Sequence, residues 1–194
     1  MCGVFYIDDD MLHEIRSIAR EIDQKLNTGI YTKDIHPTEY APVLIEGKRG
    51  IRMSKQRWGY PGVQNKGVIF NARSETVTEK RLFQNGIRYH RAVIPARHFY
   101  EWNVNREKNI FSRKDSSTMF LAGFYDIMSN EERFVILTTQ ANESMRSVHD
   151  RMPLVLEANQ LESWLFEPEQ TENILKQAPV LLKRKTEFEQ MTLF

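Results

Sequence analysis

Short apolar segments separated by polar turn residues dominate the chain, and helical spacing is confined to a few places. Residues 2–7 are apolar enough for a strand, and the aspartates at 8–10 suit the first turn of a helix. Apolar residues then recur every three or four positions, which predicts an amphipathic helix that ends near Asn27 and Gly29. The residues of this stripe are Met11, Ile15, Ile18, Ile22 and Leu26.

The middle of the chain has the apolar segments and turn residues of β-structure. Polar segments at 46–49 and 103–109 predict hairpin loops. The predicted strands are 43–46, 51–58, 68–71, 89–94, 99–104, 110–113, 119–124, 134–138 and 154–156.

Four further helices are predicted among and after these strands. They cover 76–83, closed by Asn85 and Gly86, and then 142–148, 159–165 and 169–176. Because helices and strands are interspersed without regular βαβ alternation, we expect an α+β protein. The prediction is a single domain over residues 1–194, with a mainly antiparallel mixed β-sheet, a barrel-like core and surrounding helices.

The composition excludes several classes of protein. With 194 residues, 41% of them hydrophobic, the chain can bury one substantial core. A single cysteine rules out a disulfide framework and a thiolate zinc site, and neither a metal nor another cofactor is expected. The N-terminal residues do not resemble a signal peptide and no segment suits a membrane span, so we expect a cytoplasmic protein without a membrane partner. We also expect a monomer.

The net charge is only +1, but residues 48–57 contain five lysines and arginines and no acidic residue. This basic segment continues into Trp58. Basic residues beside an exposed aromatic ring suit a phosphate backbone with a base to stack against. A solvated basic strand edge that deters aggregation explains the same pattern, so both interpretations stay open.

Cys2 becomes the N-terminal residue if the initiator methionine is removed. It then carries a thiol and a free α-amine on adjacent carbons, and both groups can add to one aldehyde. Their ordinary pKa values are about 8.5 and about 8, so modest local fields can make both reactive at neutral pH. The alternative is a small buried hydrophobic residue without a chemical role.

Asn71 and Arg73 lie where a predicted strand meets a predicted helix. Backbone N–H groups and side chains at such junctions bind anions, so Arg73 can hold a phosphate while Asn71 orients a polar group. The alternative is a simple helix cap, in which Ser74 and Thr76 satisfy the helix start and Arg73 is solvated.

Glu101 lies between Tyr100 and Trp102 in the sequence. A carboxylate walled by apolar rings loses solvation, its pKa rises, and it can act as a general acid or base near neutrality. Under strict strand alternation, however, Glu101 faces away from both rings and is an ordinary solvent-facing glutamate.

His149 is predicted to leave a short helix just before Pro153, on a turn with Asp150 and Arg151 beside it. A turn histidine flanked by charged groups can be reactive. A lone histidine is weak evidence for a functional site. His149 becomes a stronger candidate only when it is considered together with the other segments.

These segments, in this order, resemble the motifs of the SRAP family, the SOS response-associated peptidases or abasic-site processing proteins. No single motif is decisive, and the resemblance rests on their occurring together in register. The matching segments are 1–3, 37–38, 42–43, 58–59, 71–76, 94–96, 99–102, 122–123, 138–142 and 149–153.

The resemblance implies that Cys2, once N-terminal, forms a thiazolidine with the ring-opened aldehyde of an abasic site in single-stranded DNA. Asn71, Glu101 and His149 then complete the active site. Glu101 would protonate the sugar ring oxygen and later shuttle protons. Asn71 would hold the terminal amine or a sugar hydroxyl, and His149 would act on the aldehyde oxygen or the 3′ phosphate. The family name adds a peptidase activity that removes Met1, and a DNA lyase activity is a further option.

The resemblance also assigns the DNA contacts. Arg73, Arg81 and Arg151 correspond to phosphate contacts, while Trp58 and Pro37 would pack against bases at a kinked strand. The expected partner is therefore single-stranded DNA with abasic sites, which would place the protein in the cytoplasm and on the nucleoid when bound. The sequence does not indicate which proteins would deliver it to a replication fork.

Three positions depart from the family pattern. Val4 stands where arginine is usual, His98 where glycine is usual, and Ala92 where a second cysteine is common. The implied active-site residues are all present, so these departures bear on DNA affinity and strand preference.

Two other functions compete with this one. A non-catalytic single-stranded DNA-binding module would keep the groove and lack crosslinking. A class II glutamine amidotransferase also begins with a terminal cysteine, but its later asparagine-glycine and arginine motifs are not found in this chain.

Overall fold

The computed structural model describes residues 2–26, 32–62, 64 and 66–186. Its α-helices are α1 (Asp9–Ile18), α2 (Arg81–Tyr89), α3 (Leu161–Phe166) and α4 (Thr171–Leu175). Its strands are β1 (Val4–Ile7), β2 (Glu21–Ile22), β3 (Lys33–Ile35), β4 (Tyr40–Gly47), β5 (Gly50–Trp58), β6 (Tyr60–Pro61), β7 (Val68–Ile69), β8 (Asn71–Arg73), β9 (Arg91–Ala96), β10 (His98–Trp102), β11 (Lys108–Ser112), β12 (Met119–Met128), β13 (Glu131–Gln140), β14 (Arg151–Pro153), β15 (Val155–Leu156) and β16 (Lys183–Thr186).

Five strands close a ring that forms a small barrel. β13 pairs with β12, β12 with β9, β9 with β4, β4 with β5, and β5 returns to β13. The closing pair of β5 and β13 is parallel, and the other pairs of the ring are antiparallel. The prediction of an α+β fold with a mainly antiparallel mixed sheet and a barrel-like core is confirmed.

A second sheet packs against the barrel. In the described part of the chain its five strands run in the order β16, β11, β10, β1, β3, and their pairs are antiparallel. One row across this sheet consists of the fully buried Ile35, Phe5, Phe99 and Phe111. The ring of Phe5 lies 5.0 Å from that of Trp58 on β5, so this row joins the sheet to the barrel.

The first helix is shorter than its apolar stripe predicted. It ends at Ile18 because the following residues form β2, which pairs in parallel with β5. The N–H of Arg20 donates to the carbonyl of Ile51 at 2.7 Å, a bond to a strand that replaces continuation of the helix. Ile22 therefore lies on a strand, and the predicted helix end at 27–29 lies outside the described residues.

Two other predicted helices are also corrected. The one placed at 76–83 begins later, at Arg81, and continues through Gly86. A Cβ on Gly86 would lie 2.5 Å from the ring of Phe124, so this glycine permits close packing and does not end the helix. In the segment 142–148, residues 143–148 form consecutive turns and no helix. Among the described residues no helix has the length and apolar character needed to cross a membrane.

The basic segment 48–57 is not a strand edge. β5 pairs with β4 along one side and with β2 and β13 along the other, so the edge interpretation is wrong. Lys55 and Arg57 both lie over the ring of Tyr40, and Arg57 also pairs with Glu131 at 3.5 Å. A role of this segment in DNA binding stays a prediction.

Candidate active site

Cys2 lies just before β1, next to the strand that carries Glu101. Val4 opposes Tyr100 in the β1–β10 pair, which places the residues before Val4 alongside the end of β10. The Cys2 side chain is only 1% exposed, and its Sγ lies 3.9 Å from the carbonyl oxygen of Val4. Burial raises the pKa of the thiol far above its ordinary value, and the charge of Glu101 raises it further. The thiol is therefore protonated at neutral pH in this conformation.

Asn71 holds the backbone of Cys2. It is the first residue of β8, which lies parallel to β13 with Asn71 opposite Ile136. Its Nδ2 donates a hydrogen bond to the carbonyl oxygen of Cys2 at 2.9 Å. Its Oδ1 is buried and has no hydrogen-bond partner within the described part of the chain. One side of this amide is thus engaged by Cys2, and the other presents an acceptor inside the site.

Glu101 points into the molecule. The residue is 5% exposed, whereas the neighbouring Trp102 is 40% exposed. Alternation along β10 turns Tyr100 and Trp102 to the opposite face, so the prediction that their rings wall the carboxylate is wrong. The alternative of a solvent-facing glutamate is wrong as well, because the face that carries Glu101 is the buried one.

His149 follows the turns at 143–148 and precedes β14. Its Nδ1 accepts a hydrogen bond from the N–H of Arg151 at 2.9 Å and lies 2.9 Å from the Asp150 carboxylate. Acceptance of a backbone N–H needs a lone pair on Nδ1, so this bond favours the tautomer with its hydrogen on Nε2. The Asp150 side chain is largely exposed, so solvent screens its contact with the imidazole.

The structure brings Cys2, Asn71 and Glu101 together from distant parts of the chain. A direct hydrogen bond joins Asn71 to Cys2, and an electrostatic effect links Glu101 to the Cys2 thiol. The contacts of His149 given above belong to the junction of the turn with β14, so its place in the same site remains a prediction.

Arg151 is not an exposed phosphate contact in this structure. The residue is 9% exposed, and its two terminal nitrogens bind the Glu75 carboxylate side by side at 2.7 and 2.8 Å. It also donates to the carbonyl of Thr138 at 2.6 Å. Since Arg151 lowers the pKa of the Glu75 carboxyl through these hydrogen bonds, the pair is ionised at neutral pH. Its role here is to tie β14 to the segment after β8.

Trp58 is not available for stacking on a base either. It is 0% exposed, and its Nε1 donates to the carbonyl of Phe70 at 2.9 Å. Its ring packs parallel to that of Phe134, with centroids 6.2 Å apart. The expectation that Trp58 packs against DNA bases is therefore wrong for this conformation, because the indole belongs to the core.

The remaining predicted DNA contacts lie on the surface. Arg73 ends β8 and Arg81 begins α2, and both side chains are exposed. Pro37 is half-buried, next to Thr38, whose N–H donates to the carbonyl of Trp58 at 2.8 Å. These positions are compatible with a strand of DNA, and their role stays a prediction.

Sequence reasoning missed two residues, one opposite Glu101 and one bound to that residue. Asn109 opposes Glu101 in the β10–β11 pair and is fully buried. Arg184 on β16 donates from Nε to the side-chain oxygen of Asn109 at 2.7 Å. No local signal marks either of them, because the contact joins positions far apart in the chain. Within the described residues, no group of three or more His, Cys, Asp or Glu side chains is arranged to hold a metal ion.

The fold and the site define a class of protein: an α+β barrel whose buried second residue is held by an asparagine amide beside an inward-facing glutamate. A family model described as SOS response associated peptidase (SRAP) matches residues 1–193. The chain belongs to this family.

Relatives agree with this assignment, and a solved structure shares the fold. The abasic site processing proteins YoaM and YoqW of Bacillus subtilis are each 32% identical over 184 residues. The matches cover 85% of this chain and 79% of YoaM or 80% of YoqW. A crystal structure of a Bordetella bronchiseptica protein shares the fold, with a TM-score of 0.79 at 21% identity, over 95% of this chain and 99% of the other.

Proposed function

We propose that this protein, after loss of Met1, processes abasic sites in single-stranded DNA by forming a covalent thiazolidine through Cys2. The relatives are named abasic site processing proteins. The observation that carries the proposal is the hydrogen bond from Asn71 to the Cys2 carbonyl, which fixes the backbone of Cys2 inside the site at 2.9 Å. A fixed backbone fixes the α-amine, which is the group that must meet the aldehyde.

The unpaired acceptor of Asn71 suits this amine. Its buried Oδ1 has no partner among the described residues, and an N-terminal amine on Cys2 is a hydrogen-bond donor two bonds from the carbonyl carbon that Asn71 already holds. An amide that donates to the carbonyl and accepts from the amine orients the nitrogen lone pair toward a bound aldehyde. Leaving this oxygen buried without a donor costs about 1–3 kcal/mol, so a donor there stabilises the site.

The reaction proceeds in two bond-forming steps. The Cys2 nitrogen attacks the aldehyde carbon of the ring-opened sugar, and the carbinolamine loses water to give a Schiff base. The Cys2 sulfur then adds to the imine carbon, its proton passes to the solvent or a base, and the nitrogen becomes the amine of the ring. Glu101 donates the proton that opens the sugar ring, regains a proton from the anomeric hydroxyl as the aldehyde forms, and donates it again so that the carbinolamine hydroxyl leaves as water.

The protonated thiol fits this order of events. Burial and the Glu101 carboxylate keep the Cys2 pKa high, so the amine attacks before the sulfur becomes nucleophilic. An iminium ion on the same residue brings a positive charge next to the sulfur. That charge lowers the thiol pKa and favours ring closure only after the Schiff base has formed.

The exposed Arg73 and Arg81 are the proposed phosphate contacts, with Pro37 beside the path of the strand. Each phosphate contact should contribute about 0.7 to the slope of log affinity against log salt for a single strand. Arg151 and Trp58 are buried, so they are not among the proposed DNA contacts.

Adduct formation on a denaturing gel tests the proposal. Protein shown by mass spectrometry to lack Met1 is incubated with single-stranded DNA that carries one abasic site. Wild type should give a stable adduct, while Cys2→Ala should give none that survives denaturation. Glu101→Gln should slow adduct formation by about 100-fold or more, the usual size of a general acid–base contribution. Glu162→Gln, an exposed glutamate on α3, is the matched control and should behave as wild type.

Each competing function has its own outcome in this experiment. A binding module would retard the DNA in native gels without any denaturant-stable species. An amidotransferase would release ammonia from glutamine whether or not DNA is present. Absence of an adduct with wild type, or equal adduct with Cys2→Ala, contradicts the proposed function.

We also propose that Glu101 assists removal of Met1. The Cys2 sulfur would attack the Met1 carbonyl carbon, the nitrogen of Cys2 would leave with a proton from Glu101, and water would release methionine from the thioester. Mass spectrometry should then find Met1 retained in Glu101→Gln produced in a host without methionine aminopeptidase activity. Removal of Met1 from that variant would contradict this step. DNA lyase activity would begin from the same Schiff base, by loss of a sugar C2′ proton and departure of the 3′ phosphate.

A further inference from the structure

Arg184 lies on the same face of the five-stranded sheet as Glu101. In the register of the sheet, Arg184 opposes Phe111, which in turn opposes Phe99. Directly opposed residues in a sheet share a face, so Arg184 lies on the same face as Phe99. Residues two apart on one strand also share a face, so this is the face of Glu101 as well. The row of buried rings in this sheet therefore ends in a guanidinium at the sheet edge.

The Arg184 guanidinium connects two parts of the candidate site. Its Nε donates to Asn109, which opposes Glu101, and its Nη1 donates to the hydroxyl of Ser147 at 3.2 Å. Ser147 precedes His149 by two residues in the turn segment. One planar group thus bridges the strand beside Glu101 and the turn that leads to His149.

The bridge is built from a fully buried amide. The Nδ2 of Asn109 donates to the carbonyl of Glu107 at 2.8 Å, and its Oδ1 accepts from Arg184 at 2.7 Å. Loss of Arg184 would leave that buried oxygen without this charged donor and would remove the side-chain link to Ser147. The turn and the strand would then be free to shift relative to each other.

We infer that Arg184 is a positioning residue for the DNA reaction, holding the strand of Glu101 and the turn of His149 at a fixed separation. The inference rests on the proposed function. A lysine carries the same charge but lacks the fork that donates in two directions from one plane, so charge alone should not replace it.

Single-turnover adduct formation at saturating abasic DNA tests this role. Methionine-free Arg184→Gln and Arg184→Lys should both lose about tenfold or more in saturated rate, because small displacements of reacting groups have effects of this size. Their DNA dissociation constants and salt dependence should match wild type. Lys185→Gln, the same charge change on the opposite face, should leave the rate unchanged.

Two further measurements distinguish a positioning role of Arg184 from a merely structural one. The rates are compared at a temperature where circular dichroism shows every variant folded, and the pH profile of the saturated rate should change shape in Arg184→Gln. Ser147→Ala, an exposed substitution, should lower the rate a few-fold without affecting folding.

Three results would overturn the inference while leaving the proposed function intact. These are a wild-type rate in Arg184→Lys, a wild-type rate in Arg184→Gln, and a salt slope reduced by about 0.7, which would make Arg184 a phosphate contact. Failure of wild type to form any adduct would instead contradict the proposed function, and the inference with it.

Discussion

An exposed cysteine thiol can react with a ligand, and an exposed tryptophan ring can stack on one. The side chains of Cys2 and Trp58 are both buried in this protein. The sequence predicts that both residues have functional roles, because both lie in motifs of the family. Their accessibility could not be predicted, since it depends on strands that pair across the whole chain. Glu101 illustrates the same point: alternation predicted its direction, and only the packing of the sheet showed that this direction is inward.

At the residue scale, the raised pKa of the Cys2 thiol predicts a pH dependence of stability. Above about pH 9 the thiol of the unfolded chain loses its proton while the folded thiol keeps it, so the unfolded state is favoured. The free energy of unfolding should fall with a slope approaching 1.4 kcal/mol per pH unit, and below pH 9 this contribution should vanish. Urea unfolding of wild type and Cys2→Ala on both sides of pH 9 measures the difference. Parallel pH profiles for the two proteins would contradict it.

At the scale of elements, local patterns predicted the longer strands and placed the helix boundaries poorly. They did not predict the short strands β2, β3, β6, β14 and β16. β12 and β13 were predicted at 119–124 and 134–138, and both extend further because they pair with each other. The predicted α1 is too long because its apolar stripe continues into residues that form β2. These residues pair with the backbone of β5, and an apolar stripe contains no information about that pairing. The predicted end of α2 before Gly86 is wrong because a glycine pattern does not distinguish a helix stop from a close contact, here with Phe124.

The pairing of Arg151 with Glu75 gives a prediction at this scale. Arg151→Gln should lower the free energy of unfolding by about 2–3 kcal/mol, because it removes charged hydrogen bonds that tie β14 to the segment after β8. It should leave the salt dependence of DNA binding unchanged. Arg73→Gln, the exposed control, should do the reverse and reduce the salt slope by about 0.7. Chemical denaturation and DNA titrations in several salt concentrations measure both; a reduced slope for Arg151→Gln with unchanged stability would contradict the assignment.

At the scale of the whole molecule, the barrel and the second sheet are joined through aromatic packing. Trp58 contacts Phe5 of the second sheet and Phe134 of the barrel. The class of fold could be predicted from the order of elements. The closure of the barrel could not, because the parallel pair of β5 and β13 brings together strands more than seventy residues apart, and no local pattern encodes that pairing.

Substitution of Trp58 tests this architecture. Trp58→Ala should lower the free energy of unfolding by about 3–5 kcal/mol, since it leaves a cavity where two sheets meet. Trp58→Phe should lose less, because it keeps part of the ring volume and forfeits the hydrogen bond to the Phe70 carbonyl. Under conditions where the variants stay folded, DNA affinity should change little. Unchanged stability with weakened DNA binding would restore the stacking role expected from the sequence.

The position of β10 in the chain has a consequence for protein synthesis. β1 cannot complete its pairing until β10 has been made, and about 90 residues separate Ile7 from His98. At about 5–20 residues per second, the N-terminus therefore stays outside the finished sheet for several seconds of translation. Cys2 stays accessible to solvent during that interval and is enclosed only when the sheet is complete.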